Sequence, residues 1–261
     1  MTNPLIRFSP LVRKGLRFRR KFEQAKVEAA APGFAWYPYD SFPNLFPLER
    51  LGRTAGLDIQ SMAGAGPVLD IGAADGALSF YFESLGFPVH AIDHAGANMN
   101  RMEGIRLLRE RLRSNVQVMD VDMDSQFGLD SQYGLALFLG TLYHLKNPFF
   151  ALEKLAHHAQ FCFVSTRVAR RSPDGTTRLD QAPVAYLLDE NQCNADSTNY
   201  WVFSPLCLSL LFERTGWTVK AMITSGNPDS DPASPDHDER AFALLSSRVL
   251  VPERSRKTGT V

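Results

Sequence analysis

From residue 66 onward, hydrophobic positions fall into two alternating rhythms. "GPVLDIG" and "GLALFLG" are short, continuous apolar runs bounded by glycine, the pattern of strands buried on both faces. "FPVHAID", "NVQVMDV" and "FCFVSTRV" are of the same kind. Between these runs, apolar residues return at every third or fourth position. In "ANMNRMEGIRLLRERLR" Met102, Ile105, Leu108 and Leu112 share one helical face. In "NPFFALEKLAHH" Phe149, Leu152, Leu155 and Ala156 do the same. "GALSFYFESLG" predicts a helix ending at Gly86, and "SPLCLSLLFERTGW" predicts another. "TVKAMIT" and "RAFALLSSRVL" are two closing strands.

Strand and helix in alternation, with short connections, predict a parallel sheet covered on both faces and right-handed crossovers. The expected fold class is therefore α/β: a doubly wound, mainly parallel, seven-stranded sheet. Residues 1–60 read as a helical and aromatic extension, with "PGFAWYPYDSFPNLF" packed against the rest. Residues 61–250 form the main domain, and the polar stretch 168–200 is an insertion after the fifth strand. "GNPDSDPASPDHDE" reads as a flexible loop, and 251–261 as a disordered tail.

Composition narrows this picture. The chain carries 28 Lys and Arg against 28 Asp and Glu, so its whole surface makes no demand for a polyanionic partner. Charge is concentrated only in "RKGLRFRRKF", a solvated helix face or a contact for RNA, anionic lipid or an acidic partner. No run is long enough to span a bilayer. Cys162, Cys193 and Cys207 form no paired motif, which argues against a disulfide framework or zinc site and fits a cytoplasmic location. Cys162 lies in an apolar run and reads as core. Cys193 has the chemistry of a nucleophile without a supporting constellation.

The first strand ends on Asp70 and runs into Gly72, Ala74, Asp75 and Gly76. In a doubly wound sheet the ligand crevice lies at such strand tips. Small residues let a ligand approach the main chain, and the following helix presents free N–H groups there. The spacing is not the dinucleotide fingerprint, and Asp70 and Asp75 disfavour a pyrophosphate. Acids suit a ligand carrying cationic groups. Asp93 ends the second strand, and Asp120 and Asp122 follow the third. Each is a cap or loop acid unless a ligand uses it.

The pattern Asp70, Gly72, Gly76 resembles the first motif of class I S-adenosylmethionine-dependent methyltransferases, with Ala74 where the family commonly has a third glycine. The resemblance implies S-adenosylmethionine as cofactor. It places Asp93 on the ribose and one of Asp120 and Asp122 on the adenine amino group, with Val121 or Met123 against the ring. "LFLGTLYHLKNP" follows the fourth strand, and there the resemblance puts Gly140 beside the cofactor and Tyr143 and His144 at the methyl end. His144 titrates near neutrality, which suits a general base, and local packing of both side chains is the alternative.

"GTLYHLKNP", "NYWVFSP" and "ERAFALL" are similar to the branch of that class containing the tRNA wobble-uridine carboxymethyltransferases. Those enzymes place arginine directly after the Tyr-His pair; here Leu145 and Lys146 follow, which implies plain S-adenosylmethionine and transfer of a plain methyl. Trp36, Tyr37, Tyr200, Trp201 and Arg240 are candidates for the substrate wall. The expected reaction is methyl transfer to an O or N nucleophile of a small molecule or sugar, without a metal. A tRNA substrate, held by the basic N-terminal segment, is the second reading. A non-catalytic nucleotide-ligand-binding protein is the reading of another class.

Overall fold

A computed structural model describes residues 9–125, 127–234 and 238–250. The tail assigned to 251–261 lies outside the described residues. Three helices precede the sheet: α1 (Pro10–Ala29), α2 (Leu45–Ala55) and α3 (Ile59–Ala63). The strands that follow are β1 (Val68–Ile71), β2 (Val89–Asp93), β3 (Gln117–Asp120), β4 (Tyr133–Leu139) and β5 (Ala159–Val168). They alternate with α4 (Ala77–Ser84), α5 (Glu103–Leu112) and α6 (Pro148–Ala156). Then come β6 (Ala185–Leu187), β7 (Trp201–Phe203), α7 (Pro205–Arg214), β8 (Trp217–Ser225) and β9 (Glu239–Ser247).

The first five strands are parallel in the order β3-β2-β1-β4-β5. β9 runs antiparallel beside β5, and β8 antiparallel beside β9. Strand order reverses between β1 and β4, so the crevice of a doubly wound sheet opens at the tip of β1. The sheet has nine strands rather than the expected seven. The two extra ones lie in the insertion and directly after it: β7 meets β5 only at Val168↔Phe203, and β6 pairs with β7. Three-residue strands leave too few alternations to stand out in a polar stretch.

Side-chain alternation divides the core into two layers. Val68, Leu135, Leu137, Phe163 and Leu244 face α1, α2, α4 and α5, where Phe22, Leu48, Tyr81 and Ile105 meet them. Leu69, Ile71, Ala136, Phe138 and Val164 face α6 and α7, where Leu152, Leu155, Leu208 and Phe212 cover them. Asp70, Asp93, Arg167 and Arg240 are in register with the first layer, so they leave the sheet on the face that the N-terminal helices cover. Ser9, Asn147 and Ser204 cap α1, α6 and α7, each followed by proline at the first helical position.

Three elements depart from expectation. On α6, Ala151 joins Leu152, Leu155 and Ala156 in the core while Phe149 stays exposed; at about 100° per residue, Phe149 falls just outside the buried arc. α5 begins at Glu103 because Asn98 Oδ1 accepts from the N–H groups of Asn100 and Met102 and coils the chain ahead of it. The described part of the Pro- and Asp-rich loop is docked at Ala233 and Ser234, while residues 235–237 lie outside the described residues: Cys193 N–H donates to Ala233 O at 3.0 Å, and Arg167 donates to Ser234 O at 2.5 Å.

Candidate active site

The bend between β1 and α4 is built from left-handed residues. Gly72, Ala74 and Gly76 have φ of 68°, 53° and 82°. A Cβ on Gly72 would sit 2.1 Å from Thr141 Oγ1, so the bend lies directly against the turn after β4. Ala74 holds a conformation that costs an L-residue about 1–2 kcal/mol, and its N–H donates to Asp93 Oδ2 at 2.8 Å. Asp93 also accepts from His94 N–H and Asn98 Nδ2, at 2.8 and 3.0 Å. Burial raises its pKa above the ordinary carboxylate value, against the pull of these three bonds. The carboxylate is thus fixed at the tip of β2, and two oxygens with three donors retain acceptor capacity.

Asp70 is buried and accepts from Ser79 Oγ at 2.6 Å. Burial pushes its carboxyl up to about 6, with Ser79 opposing and Asp93 reinforcing the shift. Asp75 departs from the expectation that it offers negative charge to a ligand. Its carboxylate is buried and already engaged by Lys26 Nζ at 3.0 Å, Tyr37 N–H at 2.8 Å and Asn100 Nδ2 at 2.8 Å. Lys26 reaches it from α1 between the rings of Phe22 and Trp36. No periodicity in the sequence brings a lysine of α1 to this loop.

Tyr37 spans the bend. Its hydroxyl accepts from Met99 N–H at 2.9 Å. Burial pushes that hydroxyl up to about 12; the Met99 bond opposes the shift, and the charges of Asp93, Asp75 and Asp196 add to it. Trp36 packs edge-on to Phe34 and backs Lys26. Asp120 is exposed and accepts from Ala95 N–H at 3.0 Å, with His94 Nδ1 3.4 Å away. Asp122 is turned onto its own loop, accepting from Ser125 Oγ at 2.5 Å and from Asp124 N–H at 3.0 Å. The Ser125 bond is the main cause of its lowered pKa.

The turn after β4 carries Gly140, with φ of 70° and its N–H donating to Ser165 O at 2.9 Å. The rings of Tyr143 and His144 lie 4.2 Å apart. Arg240 stands over Tyr143, 5.7 Å from the ring centroid, and pairs with Asp238 at 3.0 Å. Tyr200 N–H donates to Tyr143 O at 2.9 Å, which ties the insertion to this turn. Trp201 follows, and its buried indole N–H has no partner among the described residues. His144 Nδ1 lies 2.9 Å from Thr198 Oγ1 and 3.1 Å from Thr198 O. Burial lowers the His144 pKa; Asp196 and the Thr198 bond oppose the shift, and Arg240 adds to it.

Sequence reasoning missed Lys26, Asn98, Asn100, Asp196 and Thr198. The only sequence signal for the last two was an insertion after the fifth strand, and a polar residue there is anonymous until the fold places it. Cys193 is buried against the Arg167 guanidinium, which donates to its sulfur. No group of three or more His, Cys, Asp and Glu among the described residues is arranged to hold a metal ion. No helix among them is long and apolar enough to cross a membrane.

Solved structures with the same fold include the N-terminal domain of EvdMO1 with SAH bound, at 17% identity and a TM-score of 0.52 over 88% of this chain and 97% of that one. The [4+2]-cyclase SpnF aligns at 13% identity and a TM-score of 0.53, over 92% and 93%. The PH0226 protein from Pyrococcus horikoshii OT3 aligns at 16% identity and a TM-score of 0.51, over 70% and 82%. No curated protein matches the chain. A family model described as a methyltransferase domain matches residues 29–221, more than half of the sequence and all of the bend, the acids and the Tyr143-His144 turn. The chain belongs to the methyltransferase-domain family.

Proposed function

We propose that the protein is an S-adenosylmethionine-dependent methyltransferase that moves a methyl group to an O or N nucleophile of a small molecule or sugar. The observation that carries this reading is the left-handed bend at the switch point, with the Asp93 carboxylate anchored beside it by Ala74 N–H. The donor set fits this cofactor. Acceptor-only carboxylates at Asp93, Asp120 and Asp196 suit hydroxyls, an amino group and a sulfonium, and disfavour a pyrophosphate. The structural neighbour solved with SAH supports the same choice.

In this reading Gly72, Ala74 and Gly76 present main chain to the ligand, and Asp93 accepts the ribose hydroxyls. Asp70 holds the start of α4 through Ser79 and supports the bend from inside. Asp120 and Asp122 flank the adenine, with Asp120 the more open of the two because Asp122 is committed to its own turn. Gly140 closes the floor. When bound, the cofactor supplies an electrophilic methyl on sulfur. Tyr143 and His144 then border the acceptor, His144 neutral and able to take a proton. Tyr37, Tyr200, Trp201 and Arg240 line the substrate side, with Trp36 behind them. They position the acceptor and exclude water. Residues 1–60 and 168–200 act as substrate-side additions to the domain 61–250.

The tRNA reading has one feature in its favour, the exposed Arg13, Lys14, Arg17, Arg19, Arg20 and Lys21 of α1. They are spread over about 8–20 Å along the helix from Lys26. The function test is transfer of labelled methyl from S-adenosylmethionine into a cell extract separated into RNA and small-molecule fractions. Label in the small-molecule fraction supports the proposal. Label in RNA supports the tRNA reading, and binding without any transfer supports a non-catalytic ligand-binding protein.

A further inference from the structure

The hydrogen bonds around His144 settle which of its nitrogens carries the proton. Thr198 Oγ1 lies 2.6 Å from Asp196 Oδ1, and Thr198 N–H donates to the same oxygen at 2.9 Å. A carboxylate accepts only, so the Thr198 hydroxyl proton points to Asp196 and its oxygen is left as an acceptor. Thr198 O is a carbonyl and also only accepts. Both oxygens within reach of His144 Nδ1 therefore require a donor there. The network assigns His144 the tautomer with hydrogen on Nδ1, which leaves Nε2 with a lone pair. Among the described residues nothing hydrogen-bonds Nε2.

We infer that Asp196 and Thr198 are the positioning residues of a general base at His144, and that the acceptor is a hydroxyl group. This rests on the methyltransferase reading above and adds the acceptor class to it. A base half-buried beside the Arg240 charge, as His144 is, is too weak to strip an ammonium group. It is adequate for a hydroxyl, whose proton becomes acidic only as its oxygen attacks. In that step the oxygen–carbon bond forms while the carbon–sulfur bond breaks, and the electron pair stays on sulfur. The hydroxyl proton passes to His144 Nε2, then to solvent. Asp196 stabilises the resulting imidazolium through Thr198. The charged and titratable groups facing His144 are Asp196 from the insertion, Arg240 from β9 and Tyr143 beside it.

The test is nitrogen-15 NMR of the full chain with labelled histidine, with and without S-adenosylhomocysteine. The chain has six histidines, and a His144→Gln sample identifies the signal. The expected result near neutral pH is a protonated Nδ1 and a bare Nε2, with Thr198→Val moving population to the other tautomer. In the label-transfer assay, the expected product carries methyl as an alkali-stable ether. Asp196→Asn is expected to move the acid limb of the rate profile to lower pH and to lower kcat more than it alters KM. A wild-type His144 with hydrogen on Nε2, or charged at neutral pH, overturns the inference. So does methyl on nitrogen or sulfur. Failure of S-adenosylhomocysteine to bind while the tautomer is as assigned rejects the functional reading instead.

Discussion

Lys26 Nζ stands 3.0 Å from Asp75 Oδ2, both side chains buried, one in the first helix and the other in the bend after the first strand. The pair joins the N-terminal extension to the loop proposed to hold the cofactor. Removing one partner strands a buried charge, which costs about 3–5 kcal/mol. Lys26→Met is therefore expected to lower unfolding free energy by that order and to weaken S-adenosylhomocysteine binding. Lys26→Met with Asp75→Asn, which removes both charges, is expected to recover most of the stability. Urea unfolding of the three proteins measures this, and equal losses in the single and double variants would contradict it.

Ala74 is the position where this chain departs from the family's common glycine. Ala74→Gly relieves the left-handed strain but adds unfolded-state freedom, so the expected gain is small, about 0.5–1 kcal/mol. Ala74→Val places a β-branched side chain in the same conformation, with an expected cost of about 1–3 kcal/mol and loss of cofactor binding. Thermal unfolding with and without S-adenosylhomocysteine separates the two effects.

Asp70 gives a pH-dependent prediction. Its folded pKa is raised from 3.8 to about 6 by burial. The native state therefore holds a proton that the unfolded chain has released across this window. Stability from this group is fully present below the unfolded value and is lost as pH rises through about 6, to a total of about 2–3 kcal/mol. Asp70→Asn keeps an acceptor for Ser79 and cannot ionise. Its stability relative to wild type is expected to rise between about pH 4 and pH 7. A constant difference in urea unfolding over that range would contradict the assignment.

The strands β1, β2 and β4 were legible because apolar runs end at acids or glycines, and a parallel sheet follows from their alternation with helices. The acids at positions 70 and 93 were legible as strand-end residues. What Asp75 does was not, because its partner Lys26 is separated from it by two helices. The coil held by Asn98 and Asn100 reads in sequence as the start of a helix; the Asn98 Oδ1 bonds to Asn100 and Met102 N–H, with both side chains anchored on Asp93 and Asp75, show why it is not one. Asp196 and Thr198 lie in a stretch with no period at all, so their approach to His144 depends on β7 pairing with the end of β5.

Substitution at Asp93 separates the proposed cofactor site from the proposed acceptor site. Asp93→Asn turns an acceptor-only group into one that also presents donors, toward Ala74 N–H and toward any ribose. Hydrogen bonds to a charged group contribute about 1.5–3 kcal/mol, so affinity for S-adenosylhomocysteine is expected to fall about 10- to 100-fold. His144→Gln is expected to leave that affinity within about twofold while removing transfer. Loss of binding in the His144 variant, or retention in the Asp93 variant, would reverse the assignment of the two sites.

Isothermal titration of the full chain with S-adenosylmethionine, S-adenosylhomocysteine and NAD tests the central claim most directly. The acidic, left-handed bend predicts micromolar binding of the first two and none of the third. Binding of NAD alone, or of none of the three, would contradict it.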